Sequence, residues 1–309
     1  MRLRQRMRSR WFSNETSGMI DLFKRASIKL DEPTNRSVCI WGPPGAPGKS
    51  TLALNLACEL ALAGSRVLLV DLDTYSPSLS EHFGLNDHQP GLAAAARLVG
   101  QDRLDEDQIK RLSVSFEAGK GNLSILTGLS TSSRWPEITR SKTEGLITAA
   151  KVCFDYVVLD VGSPLEPAVR QVGGAVDRNI AARTALEFSD HVFAVLASDP
   201  IGVKRFLDEF ERLHELAPDA FIIANRLRNS AIGARAKQQV EDLIQQHCRR
   251  PISAFIPADF ESCDRALFEM VPLAMMKRSS PARQAIAQLA RMHFGASERP
   301  VAAHVAKLS

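Results

Sequence analysis

The sequence predicts an α/β fold, a mostly parallel twisted sheet flanked by helices. Two observations carry that prediction. From residue 37 onward, short apolar runs alternate with helical stretches, the pattern of repeated βαβ units. The apolar runs end on glycine, aspartate or asparagine, where an open α/β sheet presents its ligand-binding edge. A chain of 309 residues, 45% apolar, is long enough to bury the core such a sheet needs.

The elements follow in order. Residues 37–41 read as the first strand and 49–63 as its helix, closed by Gly64. Residues 66–70 form a second strand ending in Asp71-Leu72-Asp73. The stretch GLAAAARLVG (91–100) and residues 106–112 are helical. Residues 122–126 are a short strand ending in Thr127-Gly128, 137–152 a helix, and 156–159 a buried strand ending at Asp160. The segment 163–184 reads as a loop, with Gly162, Pro164, Pro167 and Gly173-Gly174. A strand at 191–197 precedes DPIGVKRFLDEFERLHEL, in which Val203, Phe206, Leu207, Phe210 and Leu213 recur on one helical face. Residues 220–224 are a strand ending at Asn225, 234–247 a helix, and 252–256 the last strand. Ser280-Pro281 caps a final helix that stops near Gly295. Trp135 reads as a buried anchor.

Composition narrows the class. Residues 1–36 carry nine Lys/Arg against four Asp/Glu, the remainder 30 against 31. The basic character therefore belongs to an N-terminal arm, followed by a domain over 37–297 and a tail over 298–309. Arginines 2, 4, 6, 8 and 10 spread around a helix without forming a face. The arm is either simply solvated or makes a weak contact with DNA or an anionic membrane. The longest apolar runs are too short to span a bilayer, and the arginines have no apolar segment behind them as a secretory signal would. Five scattered cysteines with no C-x-x-C suit reduced thiols in a cytoplasm. The expected location is cytoplasmic, with peripheral attachment to membrane or nucleoid open through the arm.

The chemistry sits at the strand ends. Gly48-Lys49-Ser50-Thr51 opens a helix directly after a strand, so free N–H groups and partial positive charge face a phosphate. Lys49 can reach terminal phosphates, and the Ser50 hydroxyl suits Mg²⁺. Asp160 is placed to hold that ion through a water, since Mg²⁺ keeps its waters and takes few carboxylates. Asp71 and Asp73 bracket the place of a terminal phosphate.

GAPGKSTLALNLACELALAGSRVLLVDLDTYSPSLSEHFGL resembles the opening of the MinD/ParA family of P-loop ATPases, which includes the CpaE/TadZ-type pilus-positioning proteins. FDYVVLDVG is similar to its Walker B strand and IIANRLR to its adenine-reading strand end. FIPADFESCDRAL and VPLAMMKRSSPARQAIAQLA resemble its C-terminal strand and helices. The resemblance implies ATP and Mg²⁺ as ligands, with Gly45, Ala46, Gly48, Lys49, Ser50 and Thr51 around the phosphates. It places Ser50, Asp71 and Asp160 about the metal and gives Asp73 the attacking water. Asn225 would read the adenine edge, with Pro257 and Asp259 lining the base pocket. For Asp73 the other reading is a helix cap, for Asn225 a turn residue, and for Pro257 a loop former. The resemblance also implies a nucleotide-dependent homodimer and an unnamed cargo protein.

One departure bears on turnover. The family loop reads Lys-Gly-Gly-x-Gly-Lys-[Ser/Thr]; here it is Pro44-Gly45-Ala46-Pro47-Gly48-Lys49-Ser50. Pro44 cannot supply the lysine that crosses the family's dimer interface, and Pro47 lacks one backbone donor. Arg170, Arg178 and Arg183 are candidates for a replacement charge. Three functions are weighed: a slowly hydrolysing ATPase that positions chromosome, septum or pilus machinery, a nucleotide-binding scaffold with little turnover, and a metabolic enzyme on the same fold. The first is preferred.

Overall fold

The computed structural model describes residues 36–85, 90–118, 121–167, 177–276 and 279–295. The chain divides into two units, 1–34 and 35–309, and the account below concerns the second. The expected basic arm (apart from Arg36), the tail after 297 and Arg170 lie outside the described residues.

Among the described residues eight strands build one sheet: β1 (Arg36–Trp41), β2 (Arg66–Leu72), β3 (Val114–Ala118), β4 (Gly121–Leu126), β5 (Tyr156–Val161), β6 (His191–Ala197), β7 (Phe221–Leu227) and β8 (Ile252–Pro257). Their order is β3-β4-β2-β5-β1-β6-β7-β8. Every pair is parallel except β3 with β4, which is antiparallel. The predicted sheet is therefore correct, and β3 is added at its edge.

Alternating side chains of one strand serve two cores. Val38 and Ile40 of β1, with Val67 and Leu69 of β2, face helix α1 (Lys49–Leu62). Cys39, Trp41, Leu68 and Val70 point the other way. Burial on both faces explains why these strands are apolar throughout rather than at every second position. α1 is buried almost all round. Its one internal polar side chain, Asn55, donates to Thr51 O (2.8 Å) and accepts from Leu273 N (2.8 Å), so nothing is left unpaired.

The remaining helices are α2 (Leu79–His82), α3 (Gly91–Val99), α4 (Glu106–Leu112), α5 (Arg140–Cys153), α6 (Ile180–Phe188), α7 (Pro200–Leu216), α8 (Asn229–Ile232), α9 (Ala236–Cys248), α10 (Phe260–Glu269) and α11 (Pro281–Phe294). α11 shares the core of α1; α5, α6, α7 and α9 cover the opposite face. Two sequence expectations need correction. The helix expected over 137–152 starts later, because Ser132–Glu137 is a 3₁₀ turn containing Pro136 and Thr139 then caps α5 through Lys142 N. Within 163–184, expected as loop, residues from Ile180 onward are already α6.

All five cysteines are free and four are buried. Burial raises the Cys58 thiol to about 12 and Cys248 to about 11, so neither is a thiolate nucleophile at neutral pH. Trp135 packs, partly buried, against the core. Among the described residues no helix is long and apolar enough to cross a membrane.

Candidate nucleotide site

The loop between β1 and α1 is held by two left-handed glycines. Ala46 N donates to Pro43 O (2.9 Å) and Gly45 has φ +76°. With Pro44 second and a positive-φ glycine third, Pro43–Ala46 is a type II β-turn, which favours those two residues in those places. Pro44 thus suits the turn, and the Ala46 amide expected on phosphate is engaged by Pro43. Gly48, φ +88°, leads into α1, whose first backbone bond is Leu52 N to Gly48 O (2.9 Å). The amides of Lys49, Ser50 and Thr51 precede that bond and have no acceptor within the helix.

Lys49 reaches across the loop. Its Nζ donates to Val161 O (3.1 Å) and to Ser163 Oγ (2.6 Å), both just after Asp160. Asp160 and Asp71 are register partners across β5 and β2, and each is essentially sealed from solvent. The Asp71 carboxylate accepts from Ser78 N (2.8 Å), Leu79 N (2.9 Å) and Asp73 N (3.3 Å). It caps the start of α2. Asp160 is bonded by the Ser50 hydroxyl, yet its Oδ1 is buried with no hydrogen-bond partner. Burial raises Asp160 to about 6, against the pull of Lys49 and the Ser50 bond, with Asp73 adding repulsion. Asp71 is pushed well above the carboxylate range by burial and by Asp160, despite the two amides of α2.

Those carboxylates are hard oxygen donors beside a serine hydroxyl, at the positive end of a helix. The unpartnered Oδ1 of Asp160 is what a water-coordinated divalent cation would satisfy, so the residues fit Mg²⁺.

Asp73 accepts from Tyr75 N (2.8 Å) and Ser76 N (3.0 Å), which makes it the head of a turn. The helix-capping reading belongs to Asp71. A Cβ added to Gly162 would lie 3.2 Å from Asp73 Oδ1, so the loop after β5 passes directly over it. The Tyr75 hydroxyl donates to Asn179 Oδ1 (2.6 Å), and Arg178 lies over the Tyr75 ring at 3.9 Å. Arg183 is paired with Asp177 at 2.9 Å. Of the replacement charges considered, Arg183 is paired with Asp177 and Arg178 lies on the Tyr75 ring.

Beside Gly48 a small pocket open to solvent is lined by Thr51, Asn225, Arg226, Pro257, Asp259 and Phe260, among others. Asn225 Nδ2 donates to Pro47 O (2.9 Å), and its Oδ1 accepts from Arg226 N (2.9 Å). A Cβ on Gly48 would collide with that amide. Asp259 caps α10 through Ser262 N (3.3 Å) and accepts from Ser280 Oγ (2.5 Å). The twelve predicted site residues fall in two adjoining parts, one around the loop, Asp71, Asp73 and Asp160 and the other around Asn225, Pro257 and Asp259. Ser163 and Arg226 were not foreseen. Their places follow from loops meeting far along the chain, for which the sequence has no local signal.

Comparison with known proteins gives the family and the fold. Residues 38–273 match the family described as the CobQ/CobB/MinD/ParA nucleotide binding domain. A septum site-determining protein MinD of Synechocystis is 24% identical over 229 residues, which cover 73% of this chain and 77% of the relative. The solved structure of a ParA family ATPase from Chlorobium tepidum superposes with a TM-score of 0.67 at 21% identity, covering 83% of this chain and 98% of that one. A MinD of Pyrococcus horikoshii, solved in complex with Mg-ADP, does so at 0.63 and 21%, covering 83% and 94%. At such identities the two structures speak for the fold, which is that of MinD/ParA P-loop ATPases. The family match spans most of the domain, and the chain belongs to the MinD/ParA family of nucleotide-binding proteins.

Proposed function

We propose that this protein binds Mg-ATP at the junction of β1, α1, β2 and β5, hydrolyses it slowly, and positions a cellular cargo as a nucleotide-dependent homodimer. The observation that carries the reading is the buried pair Asp71 and Asp160, one oxygen of which has no partner, facing Ser50 at the start of α1. Lys49 and the first amides of α1 would hold the phosphates, Ser50 and Asp160 the metal's inner and outer coordination, and Asp71 the outer sphere with them. Mg²⁺ there would offset charge on the phosphate oxygens. Asp73, partly exposed under Gly162, would orient the attacking water. Thr51, Asn225, Pro257 and Asp259 would receive the base, with Gly45 and Gly48 giving the loop its close approach. The MinD/ParA relatives support a role in septum placement or partition, and the CpaE/TadZ-like resemblance keeps pilus machinery within the same reading.

The second reading, a nucleotide-binding scaffold with little turnover, is favoured by one feature. Pro44 occupies a turn position where the family's lysine would stand. Calorimetric binding of Mg-ATP together with phosphate release decides between them. Lys49→Ala is expected to abolish binding, and Asp73→Ala to preserve binding while removing turnover. Equal loss of binding in both variants overturns this division of roles. Binding without phosphate release in the wild type selects the scaffold.

A further inference from the structure

We propose that Arg205, on the first turns of α7, is the cation that grips the terminal phosphate of a nucleoside triphosphate from within the same chain, in place of the loop lysine that Pro44 has displaced. The inference rests on the nucleotide-binding reading above and adds how the site tells ATP from ADP.

Four observations converge on it. β6 lies beside β1 in parallel register, so the helix that follows β6 starts next to the loop that follows β1. α7 is fixed there by Asp199, whose carboxylate caps it through Gly202 N at 2.8 Å. The Arg205 guanidinium reaches the loop itself: a Cβ added to Gly45 would run into its Nη1 and lie 3.1 Å from its Cζ. Gly45 is the exposed third residue of the type II turn, where its φ of +76° calls for glycine, and the guanidinium lies beside it.

Arg205 is also without an ion-pair or hydrogen-bonded partner among the described residues, and the reason is visible on its own helix. The carboxylates three and four residues on, which would ordinarily pair with it, are taken: Asp208 by Lys204 at 2.5 Å and Glu209 by Arg212 at 2.7 Å. An exposed arginine beside this loop, with both neighbouring acids occupied, is a cation free to meet an anion.

The direction of the ligand assigns the phosphate. The base pocket is lined by Gly48 and Thr51, whereas Gly45, three residues earlier in the loop, is not among its lining residues. A nucleotide with its base by Asn225 therefore runs its phosphates past α1 toward Gly45. The group nearest Arg205 is the last one, which ADP lacks. Arginine suits it, since the planar fork binds two phosphate oxygens at once. A charge-assisted contact of this kind corresponds to roughly tenfold or more in affinity.

The test measures binding of Mg-AMPPNP and Mg-ADP by calorimetry to the full-length wild type, Arg205→Ala, Arg205→Lys and Lys49→Ala, with thermal melts to show that each is folded. Arg205→Ala is expected to lose about tenfold or more in AMPPNP affinity while ADP affinity stays within about twofold. Arg205→Lys should recover part of the loss, because it restores charge without the fork. These ratios should not change with protein concentration. Equal weakening of both nucleotides, or no weakening of either, overturns the role of Arg205 and leaves nucleotide binding standing if Lys49→Ala still fails to bind. An Arg205 effect that appears only at concentrations where dimers form overturns the claim that it acts within its own chain. A wild type that binds neither nucleotide removes both readings together.

Discussion

Asp160 and Asp190 lie near opposite ends of the same sheet and are treated in opposite ways. Asp190, before the first residue of β6, has a side chain 39% exposed, yet its carboxylate is fully matched. It accepts from Ser37 N (2.7 Å), Ser37 Oγ (2.9 Å) and Lys151 Nζ (2.8 Å). Partial burial pushes it up, but Lys151 and Ser37 more than reverse this and leave it below the usual range. Asp160, at the carboxyl end of β5, is 1% exposed and keeps a bare oxygen and a raised pKa. A carboxylate serving only the fold would be solvated or satisfied. The amino ends of these strands are finished for stability; their carboxyl ends are left incomplete.

The sharpest way to break this contrast is to delete both carboxylates. Asp190→Ala strips the acceptor from the fully buried Ser37 amide and the partner from Lys151. An orphaned buried donor costs about 1–3 kcal/mol, so chemical denaturation at pH 7 should show a loss of that order with nucleotide affinity unaltered. Because the folded pKa of Asp190 is lowered, its contribution is present above its unfolded value near 4 and lost as pH falls through the folded value. The variant and wild type should converge in acid.

Asp160→Asn should do the reverse. Its folded pKa is raised to about 6, so the ligand-free protein carries a penalty that develops as pH rises from about 4 to 6 and persists above. The substitution should stabilise the unliganded protein by up to about 3 kcal/mol at pH 7 and by nothing below about pH 4. It should also abolish the dependence of nucleotide affinity on Mg²⁺. A destabilised Asp160→Asn would mean that this end of the sheet is not held in an unsatisfied state.

Two loop substitutions sharpen the comparison with smaller effects. Pro47→Val restores a backbone N–H, and if that donor faces phosphate, affinity should rise by up to roughly tenfold, in monomer as in dimer. No tightening would show that the missing donor is not aimed at the ligand. Pro44→Lys removes the preset second residue of the type II turn, costing about 0.4–1 kcal/mol in a thermal melt. It should raise turnover only as protein concentration rises. If phosphate release stays flat at every concentration, the dimer contact of the family is not how this protein works.

The sequence shows the sheet well because its central strands are buried on both faces, so runs such as SVCIW and YVVLD carry unbroken apolar signals. β3 is an edge strand paired on one side only; in VSFEA polar and apolar residues mix, and no run forms. α6 buries alanines, Ala181, Ala182 and Ala185, and small residues leave little periodic contrast beside the glycine-rich stretch ahead of them. At the site, Lys49, Ser50, Asp71 and Asp160 were legible because a strand followed by a helix fixes where they stand. Arg205 was not. On the sequence it is one more cation on the polar face of an amphipathic helix, and only the folded chain places it beside Gly45.

Asp259 has a consequence for how the domain comes apart. One oxygen holds Ser262 at the head of α10, the other holds Ser280 and Ala282 at the head of α11, and Arg283 continues the chain of contacts to Glu59 on α1 (2.8 Å). In polymer terms, residues 260–279 are a loop whose two ends are closed by a single carboxylate, a clasp without a covalent bond. Burial works against that charge, but the Ser280 and Ser262 bonds outweigh it and hold the group below the ordinary range, so the clasp stays shut until the solution is distinctly acid. When it takes up a proton, both ends slacken at once, and the stretch should open as one cooperative unit in hydrogen exchange. The wall of the base pocket carried by Phe260 goes with it, while the phosphate loop, anchored by β1 and α1, stays folded.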